Sequence, residues 1–214
     1  IILCLNYDGM YGINNINRVM QQANPNKEYN FGIDTFKVND PILFNDCPRF
    51  NNFLYNNLKG VIKKIEEDKD NNCMWFTIEV EENSINSYFR PFDVEILEGD
   101  MLGKVNIRFK VNAYIDKEDD ENEYDHIIPF NLSYAISIHK AQGLEYDSVK
   151  IVITSNIEDK ITKNIFYTAI TRAKNKLKIY WSSDSQTKIF DNFDKRENSR
   201  DLAILRQKID KKNK

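Results

Sequence analysis

Between residues 35 and 113 the sequence changes texture, and that change constrains the fold more than any other feature. Short apolar runs, TFKVND, PILF, GVIKKIEE, CMWFTIEVEE, SYFRPFDVEIL and KVNIRFKV, are separated by turn-forming clusters. Trp75, Phe76, Ile78 and Val80 alternate imperfectly with polar neighbours, and Ile107, Phe109 and Val111 alternate cleanly. A period of two sends successive side chains to opposite faces of a strand, so this stretch reads as a small barrel or meander. The flanks read differently. IILCLN is a strand, and GINNINRVMQQANP a helix with Ile13, Ile16, Val19 and Met20 near helical spacing until Pro25 stops it. Further on, NLSYAISIHKAQG is expected to be a helix ending at Gly143, VKIVIT a buried strand, IFYTAITRAK a helix and KLKIYWS a strand. One α/β domain, residues 1–35 and 115–190, interrupted by an all-β insertion over residues 36–114, accommodates both textures. Residues 191–214 form a charged tail, expected to be partly helical around Leu202, Ile204 and Leu205.

The 214 residues can bury a real core, and 41% apolar with 29% charged residues is ordinary soluble composition. A formal charge of -3 gives no global attraction to nucleic acid, so any such binding rests on a local surface. Cys4, Cys47 and Cys73 are far apart, with no CxxC pair, which suggests neither a disulfide framework nor a zinc site and makes a reducing, cytoplasmic compartment the default. The chain contains no apolar run of membrane length and no secretory leader, so no membrane partner is expected. Its abrupt start in a strand reads as that of a fragment. The acidic run DKEDDENEYD, residues 116–125, reads as a boundary or exposed loop; for a calcium loop it lacks the glycine and the spacing.

Two clusters carry chemistry. In SIHKAQGLEYDSV, His139, Lys140 and Gln142 supply donors, Glu145 a fixed acceptor, and Gly143 lets a ligand approach the backbone closely. Such a corner fits phosphates and a ribose hydroxyl, or simply a polar surface, and a lone histidine like His139 is as often structural. In YTAITRAK, Arg172 follows the helix-compatible run Ile165, Phe166, Ala169, Ile170. An arginine on a rigid element can present a fork of donors to phosphate, or hold a structural salt bridge.

These two clusters resemble motifs V and VI of superfamily 1 helicases of the RecD-like branch, the exonuclease V alpha subunits with a UvrD-like C-terminal domain. ILCLNYDGMYGINNINRVMQQANP is similar to that branch's segment after motif IV, and KVNDPILF and LYNNLKGVI resemble its inserted SH3-like module. Asn57 stands where glycine is usual there, and Leu58 where aspartate is usual. Asparagine tolerates the left-handed turn that glycine would make.

The resemblance implies a RecA-like second motor domain with an inserted SH3-like barrel, and an intact protein that uses ATP and Mg²⁺ to move 5′ to 3′ on single-stranded DNA. It implies that Arg172 reaches the γ-phosphate, supported by Tyr167 and Thr171. Gly143 shapes the turn, and Glu145 meets the ribose or couples nucleotide to DNA. Ser137, His139, Lys140 and Gln142 would lie toward the nucleic acid. A cleft-facing Arg172 should be replaceable with little effect on folding. No G-x-x-x-x-G-K-[ST] and no magnesium box occur in the sequence, so the phosphate cradle and the magnesium ligands belong to a missing N-terminal RecA-like domain. The fragment alone is expected to be inactive. The competing reading is a non-catalytic nucleic-acid-binding or adaptor module.

Overall fold

In a computed structural model, which describes residues 1–50, 53–97, 99, 102–113 and 124–195, the chain begins with strand β1 (Ile2–Cys4) and helix α1 (Ile13–Gln22). By internal contacts it divides into two units, residues 1–13 with residues from 136 onward, and residues 14–135.

Helix α1 buries an unexpected stripe. Of its apolar positions, Ile13 is buried, but Val19 is 51% and Met20 39% exposed, while Asn17 and Gln21 are buried. The reason is hydrogen bonding. Asn17 donates to the Ala135 carbonyl and accepts from the Ala135 N–H, both at 2.9 Å. Gln21 donates to Thr35 O at 2.8 Å and to Asp40 at 2.5 Å. Asn24 donates to Val38 O at 2.9 Å and to Asp40 at 2.8 Å. Positions 17 and 21 share one face of α1 and Asn24 follows two residues past its end, so these polar side chains do what an apolar stripe would usually do. Asp40, fully buried, also accepts from the Lys37 N–H at 2.8 Å and the Tyr134 hydroxyl at 2.7 Å. A buried carboxylate is tolerated because its oxygens are this fully satisfied. Burial first, and then Asp40, hold the Tyr134 phenol above its ordinary range.

The unit of residues 14–135 is all-β after α1. A hairpin pairs β2 (Glu28–Phe31) with β3 (Asp34–Lys37). Then come β4 (Pro41–Phe44), β5 (Lys59–Asp68), β6 (Cys73–Glu81), β7 (Glu95–Leu97), β8 (Lys104–Asn112) and β9 (Phe130–Leu132). They form one antiparallel sheet in the order β7-β8-β6-β5-β4-β9. In β8 the alternation is complete, with Val105, Ile107, Phe109 and Val111 buried. Edge-to-face pairs, Phe50 on Phe109 at 5.1 Å and Phe76 on Phe130 at 5.2 Å, tie the core together. Asn57 has φ 66°, the left-handed turn its sequence position suggests, and Leu58 beside it is core.

The expected closed barrel is not what the hydrogen bonds draw. Among the described residues the sheet is open, with β7 and β9 at its edges. Both edge strands are three residues long, and Phe36, Phe50 and Phe53, which lie outside the six strands of this sheet, are buried in its core.

The last part of the chain returns to α/β with β10 (Ala135–Ser137), β11 (Tyr146–Val152), α2 (Lys163–Ile170), β12 (Ala173–Tyr180) and α3 (Ser183–Lys195). The sheet runs β10-β1-β11-β12, and β11 is parallel to both β1 and β12. Two helix expectations fail here. NLSYAISIHKAQG is not a helix: Phe130 and Leu132 pair with β4, Ser133 N–H donates to Pro41 O at 2.8 Å, and Ala135 and Ile136 are buried in β10. Short apolar runs carry either period, and pairing partners decide. The second helix ends at Ile170 rather than Lys174, so Arg172 lies in the link between α2 and β12. The expected tail helix around Leu202 and most of the acidic run, residues 116–123, lie outside the described residues.

Candidate nucleotide and nucleic-acid site

The turn after β10 is built from local hydrogen bonds. Ser137 is buried; its carbonyl accepts from Ala141 N–H at 3.1 Å and its hydroxyl oxygen from Lys140 N–H at 3.1 Å. Gln142 N–H donates to His139 O at 3.2 Å, and Leu144 N–H to Ala141 O at 3.0 Å. Gly143 closes this helical turn at φ 83°. No atom lies within 4 Å of where its Cβ would be, so the left-handed backbone and not crowding selects glycine. His139 and Gln142 are exposed, and Lys140 is half-buried.

Arg172 reaches into this turn. Its Nη1 donates to Leu144 O at 3.0 Å, its Nε to Thr168 O at 2.9 Å and its Nη2 to Thr171 Oγ1 at 3.0 Å. Thr171 Oγ1 lies 2.9 Å from Tyr167 O and 3.2 Å from Thr168 O, so its one proton is shared over the end of α2. All three acceptors of the guanidinium are neutral oxygens, and its charge sits favourably beside the helix carboxyl end. Tyr146 N–H donates to Arg172 O at 2.9 Å, and Tyr146 stands opposite Ala173 in the parallel ladder. Burial pushes the Tyr146 phenol up to about 12. Glu145 pairs with Lys174 at 3.3 Å, both side chains more than half exposed, a contact worth little in water.

The sequence candidates therefore fall into two groups. Gly143, Glu145, Thr171 and Arg172 meet where β11 and β12 begin, with Tyr167, 65% exposed, on the last turn of α2. Ser137 is at the other end of the sheet: the next N–H, Ile138, bonds Cys4 O at 3.0 Å, one step beyond the Leu3–Ile151 pair near the end of β11. The turn of residues 138–145 crosses from one end to the other, so His139, Lys140 and Gln142 lie along it. The backbone acceptors Leu144 O and Thr168 O, and the Lys174 partner of Glu145, are absent from the sequence reading. Their only signal is that residues 144–146 and 172–174 flank the starts of two neighbouring parallel strands.

Residues 132–180 match the UvrD-like helicase C-terminal domain. The chain is 25% identical over 180 residues to RecBCD enzyme subunit RecD of Buchnera aphidicola subsp. Schizaphis graminum, covering 84% of this chain and 24% of that protein. It is 39% identical over 46 residues to RecD of Mycolicibacterium smegmatis, covering 22% and 8%. With an uncharacterized protein, MJ1519, of Methanocaldococcus jannaschii it shares 40% identity over 77 residues, covering 35% and 6%. The chain thus spans about a quarter or less of the length of these relatives. Similar solved structures are Pif1 helicase from Candida albicans, with TM-score 0.47, 16% identity and coverage of 88% and 47%, and Bacteroides Pif1 bound to ssDNA, with TM-score 0.41, 15% identity and coverage of 84% and 40%.

Proposed function

We infer, for a chain that belongs with the superfamily 1 helicases of the RecD-like branch, that it is the C-terminal part of an ATP-dependent DNA helicase moving 5′ to 3′ on single-stranded DNA. Its second, RecA-like motor domain is then residues 1–35 and 115–190, a wider span than the compact α/β unit of residues 1–13 and 136 onward. Residues 36–114 are an inserted SH3-like module, and residues 191–214 a terminal tail. The N-terminal RecA-like domain of the same protein supplies the phosphate cradle and the magnesium ligands, since neither sequence signature occurs in the 214 residues. The buried, free cysteines suit a cytoplasmic protein. Among the described residues no helix is long and apolar enough to cross a membrane.

One observation carries the reading: Arg172 bonds Leu144 O, joining the YTAITRAK link to the HKAQGLE turn at one end of the sheet. A guanidinium has five N–H donors, and the side-chain bonds of Arg172 use three of them. Its positive charge, satisfied only by neutral oxygens, gains by exchanging a carbonyl for a phosphate oxygen. The donor set therefore fits the γ-phosphate of ATP. Thr171 and Tyr167 hold the helix end from which the fork projects, while Gly143 and Glu145 border the same place. Drawing Arg172 toward phosphate would release Leu144 O and loosen the turn that carries Ser137, His139, Lys140 and Gln142, the residues we assign to the DNA. That release couples the nucleotide to the nucleic acid.

The test is phosphate release against single-stranded DNA concentration. The 214-residue chain should show no DNA-stimulated turnover, and robust turnover by a homogeneous preparation refutes the assignment of the phosphate cradle to another domain. In the intact protein Arg172→Ala should reduce kcat roughly 10³-fold, the lower part of the range for arginine fingers. Loss of DNA binding with near-normal ATP turnover would place Arg172 on the nucleic-acid surface instead.

A further inference from the structure

At the end of the parallel sheet opposite Arg172 is a cavity of about 660 Å³, a size typical of small-ligand sites. Loops leaving the carboxyl ends of three strands line it: Met10 and Tyr11 after β1, Thr154 and Asn156 after β11, and Tyr180, Trp181 and Ser182 at the end of β12. The position is meaningful. From β1 the next strand of this sheet, β10, lies on one side, and β11 and β12 lie on the other, so the strand order reverses at β1 and β11. In open α/β sheets ligands bind in the crevice outside the carboxyl ends of the strands at such a reversal.

The lining says what kind of ligand. None of the described residues lining it carries a formal charge at neutral pH, so the cavity is unsuited to phosphate or a metal ion. Its apolar part combines the rings of Tyr11, Tyr180 and Trp181 with the aliphatic side chains of Met10, Val152 and Ile153, and hydroxyl and amide groups supply donors and acceptors beside it. That combination matches a nucleobase, whose faces stack and whose edges hydrogen-bond. The walls are held in place. Trp181 lies parallel to Phe166, with centroids 5.8 Å apart and planes at 2°, and Phe190 packs edge-on at 5.7 Å. Lys178 Nζ sits 4.9 Å from the centroid of the Tyr180 ring. The β1 loop is pinned by Gly12 N–H to Gly9 O at 3.0 Å, and a Cβ on Gly12 would come within 2.4 Å of Asp8 O. Tyr11 and Tyr180 nevertheless keep 55% and 42% of their surface exposed. Two tyrosine rings left this open beside an anchored Trp181 are a stacking platform without its partner. Ser137, at the end of β10, is on the same end of the sheet.

We propose that this cavity holds an unstacked base of the single-stranded nucleic acid, with Tyr180 and Tyr11 as stacking residues that touch it. The proposal rests on the motor reading above and adds to it a contact with the base, where the motif residues would meet the backbone.

The test compares an oligothymidylate with an abasic deoxyribose-phosphate strand of equal length, binding the 214-residue chain and its Tyr180→Ala, Tyr180→Phe and Tyr11→Ala variants at low salt. Anisotropy of end-labelled strands gives affinity, and Trp181 fluorescence in a Trp75→Phe background reports the cavity. A stacked base contributes about 1–3 kcal/mol, so the chain should prefer the base-bearing strand by about 5- to 150-fold and Trp181 emission should change with that strand alone. Tyr180→Ala should abolish the preference and leave the salt dependence unaltered, because phosphate contacts set that slope. Tyr180→Phe should retain the preference. Equal affinity of the chain for both strands, or a preference that survives both Tyr180→Ala and Tyr11→Ala, refutes the base site and leaves the nucleic-acid reading standing. Failure to bind either strand at low salt overturns the base site and the DNA-contact assignment together.

Discussion

Replacing Arg172 by alanine should destabilise the α/β unit before any question of catalysis arises. Its side chain makes three hydrogen bonds of 2.9, 3.0 and 3.0 Å, clamping the 143–145 turn to the end of α2. A hydrogen bond contributes about 0.5–1.5 kcal/mol net, so three give roughly 1.5–4.5 kcal/mol. The group is half-buried, water can replace the lost donors, and the ordered arginine gives back up to about 2 kcal/mol of entropy, so we expect a loss of about 2 kcal/mol. With a urea m-value of about 2 kcal/mol/M the midpoint should fall by about 1 M. Trp181 lies in the α/β unit and Trp75 in the β unit, so Trp181 emission in a Trp75→Phe background follows the relevant transition. Lysine should recover less than half of the loss, since one ammonium cannot span acceptors on two elements. A cleft-facing arginine was expected to leave folding unchanged; a loss below about 0.5 kcal/mol with an unaltered m-value would restore that expectation and refute the clamp.

Other consequences follow from burial and charge. Burial pushes the Cys4 thiol up to about 12, and Cys47 and Cys73 are also buried, so aromatic disulfide reagents at pH 8 should modify native Cys4 roughly 10³-fold more slowly than in urea; fast stoichiometric labelling of three thiols in the native protein would contradict the packing. Asp40→Ala leaves four donors, two of them buried, without this acceptor, while Gln21 and Asn24 keep backbone carbonyl partners, and should cost about 2–4 kcal/mol, read as a urea midpoint shift of the Trp75 transition in a Trp181→Phe background. A cost near zero there would show that the network is solvated. The hydrogen bond from Lys188, at 2.5 Å, holds the Glu158 carboxyl below its ordinary value of 4.5. A depressed carboxylate stabilises fully above its unfolded value and loses that contribution as pH falls through the folded one, so thermal stability should decline below about pH 4.5. Glu158→Gln should flatten that decline, and an unchanged acid limb would remove the pair as its cause.

What the sequence conveyed about the fold follows from period. Val105, Ile107, Phe109 and Val111 alternate cleanly, and β8 is where they stand. Ala135 and Ile136 lie in an apolar run of ambiguous period, and only long-range partners, Pro41 O for Ser133 and Cys4 O for Ile138, make that run two short strands. Helix α1 was legible as a helix but its buried face was not. Hydropathy assigns Val19 and Met20 inward and Asn17 outward, whereas the bidentate bond between Asn17 and Ala135 joins residues 118 apart. A polar side chain that satisfies a distant backbone is invisible to any local pattern.

The site shows the same division at the level of chemistry. The residue types of HKAQGLE and YTAITRAK, with glycine, carboxylate and arginine in short compass, mark a candidate phosphate contact and fit a polar surface or a structural salt bridge equally well. Their meeting depends on register. Residues that precede two adjacent parallel strands come together when the strands start level, and Tyr146 opposite Ala173 sets that level here. Had α2 run on to Lys174 as its apolar period suggests, Arg172 would project from a helix side. Because α2 stops at Ile170, with Thr171 closing its last turn, the guanidinium folds back over the helix end and reaches Leu144 O. The same stop lets β12 start early enough to run level with β11 to Tyr180, which carries the aromatic wall to the opposite end of the sheet. A single helix terminus thus positions both ends of the unit, and the hydroxyl of Thr171, bonded to Tyr167 O and Thr168 O, is the local group that fixes it.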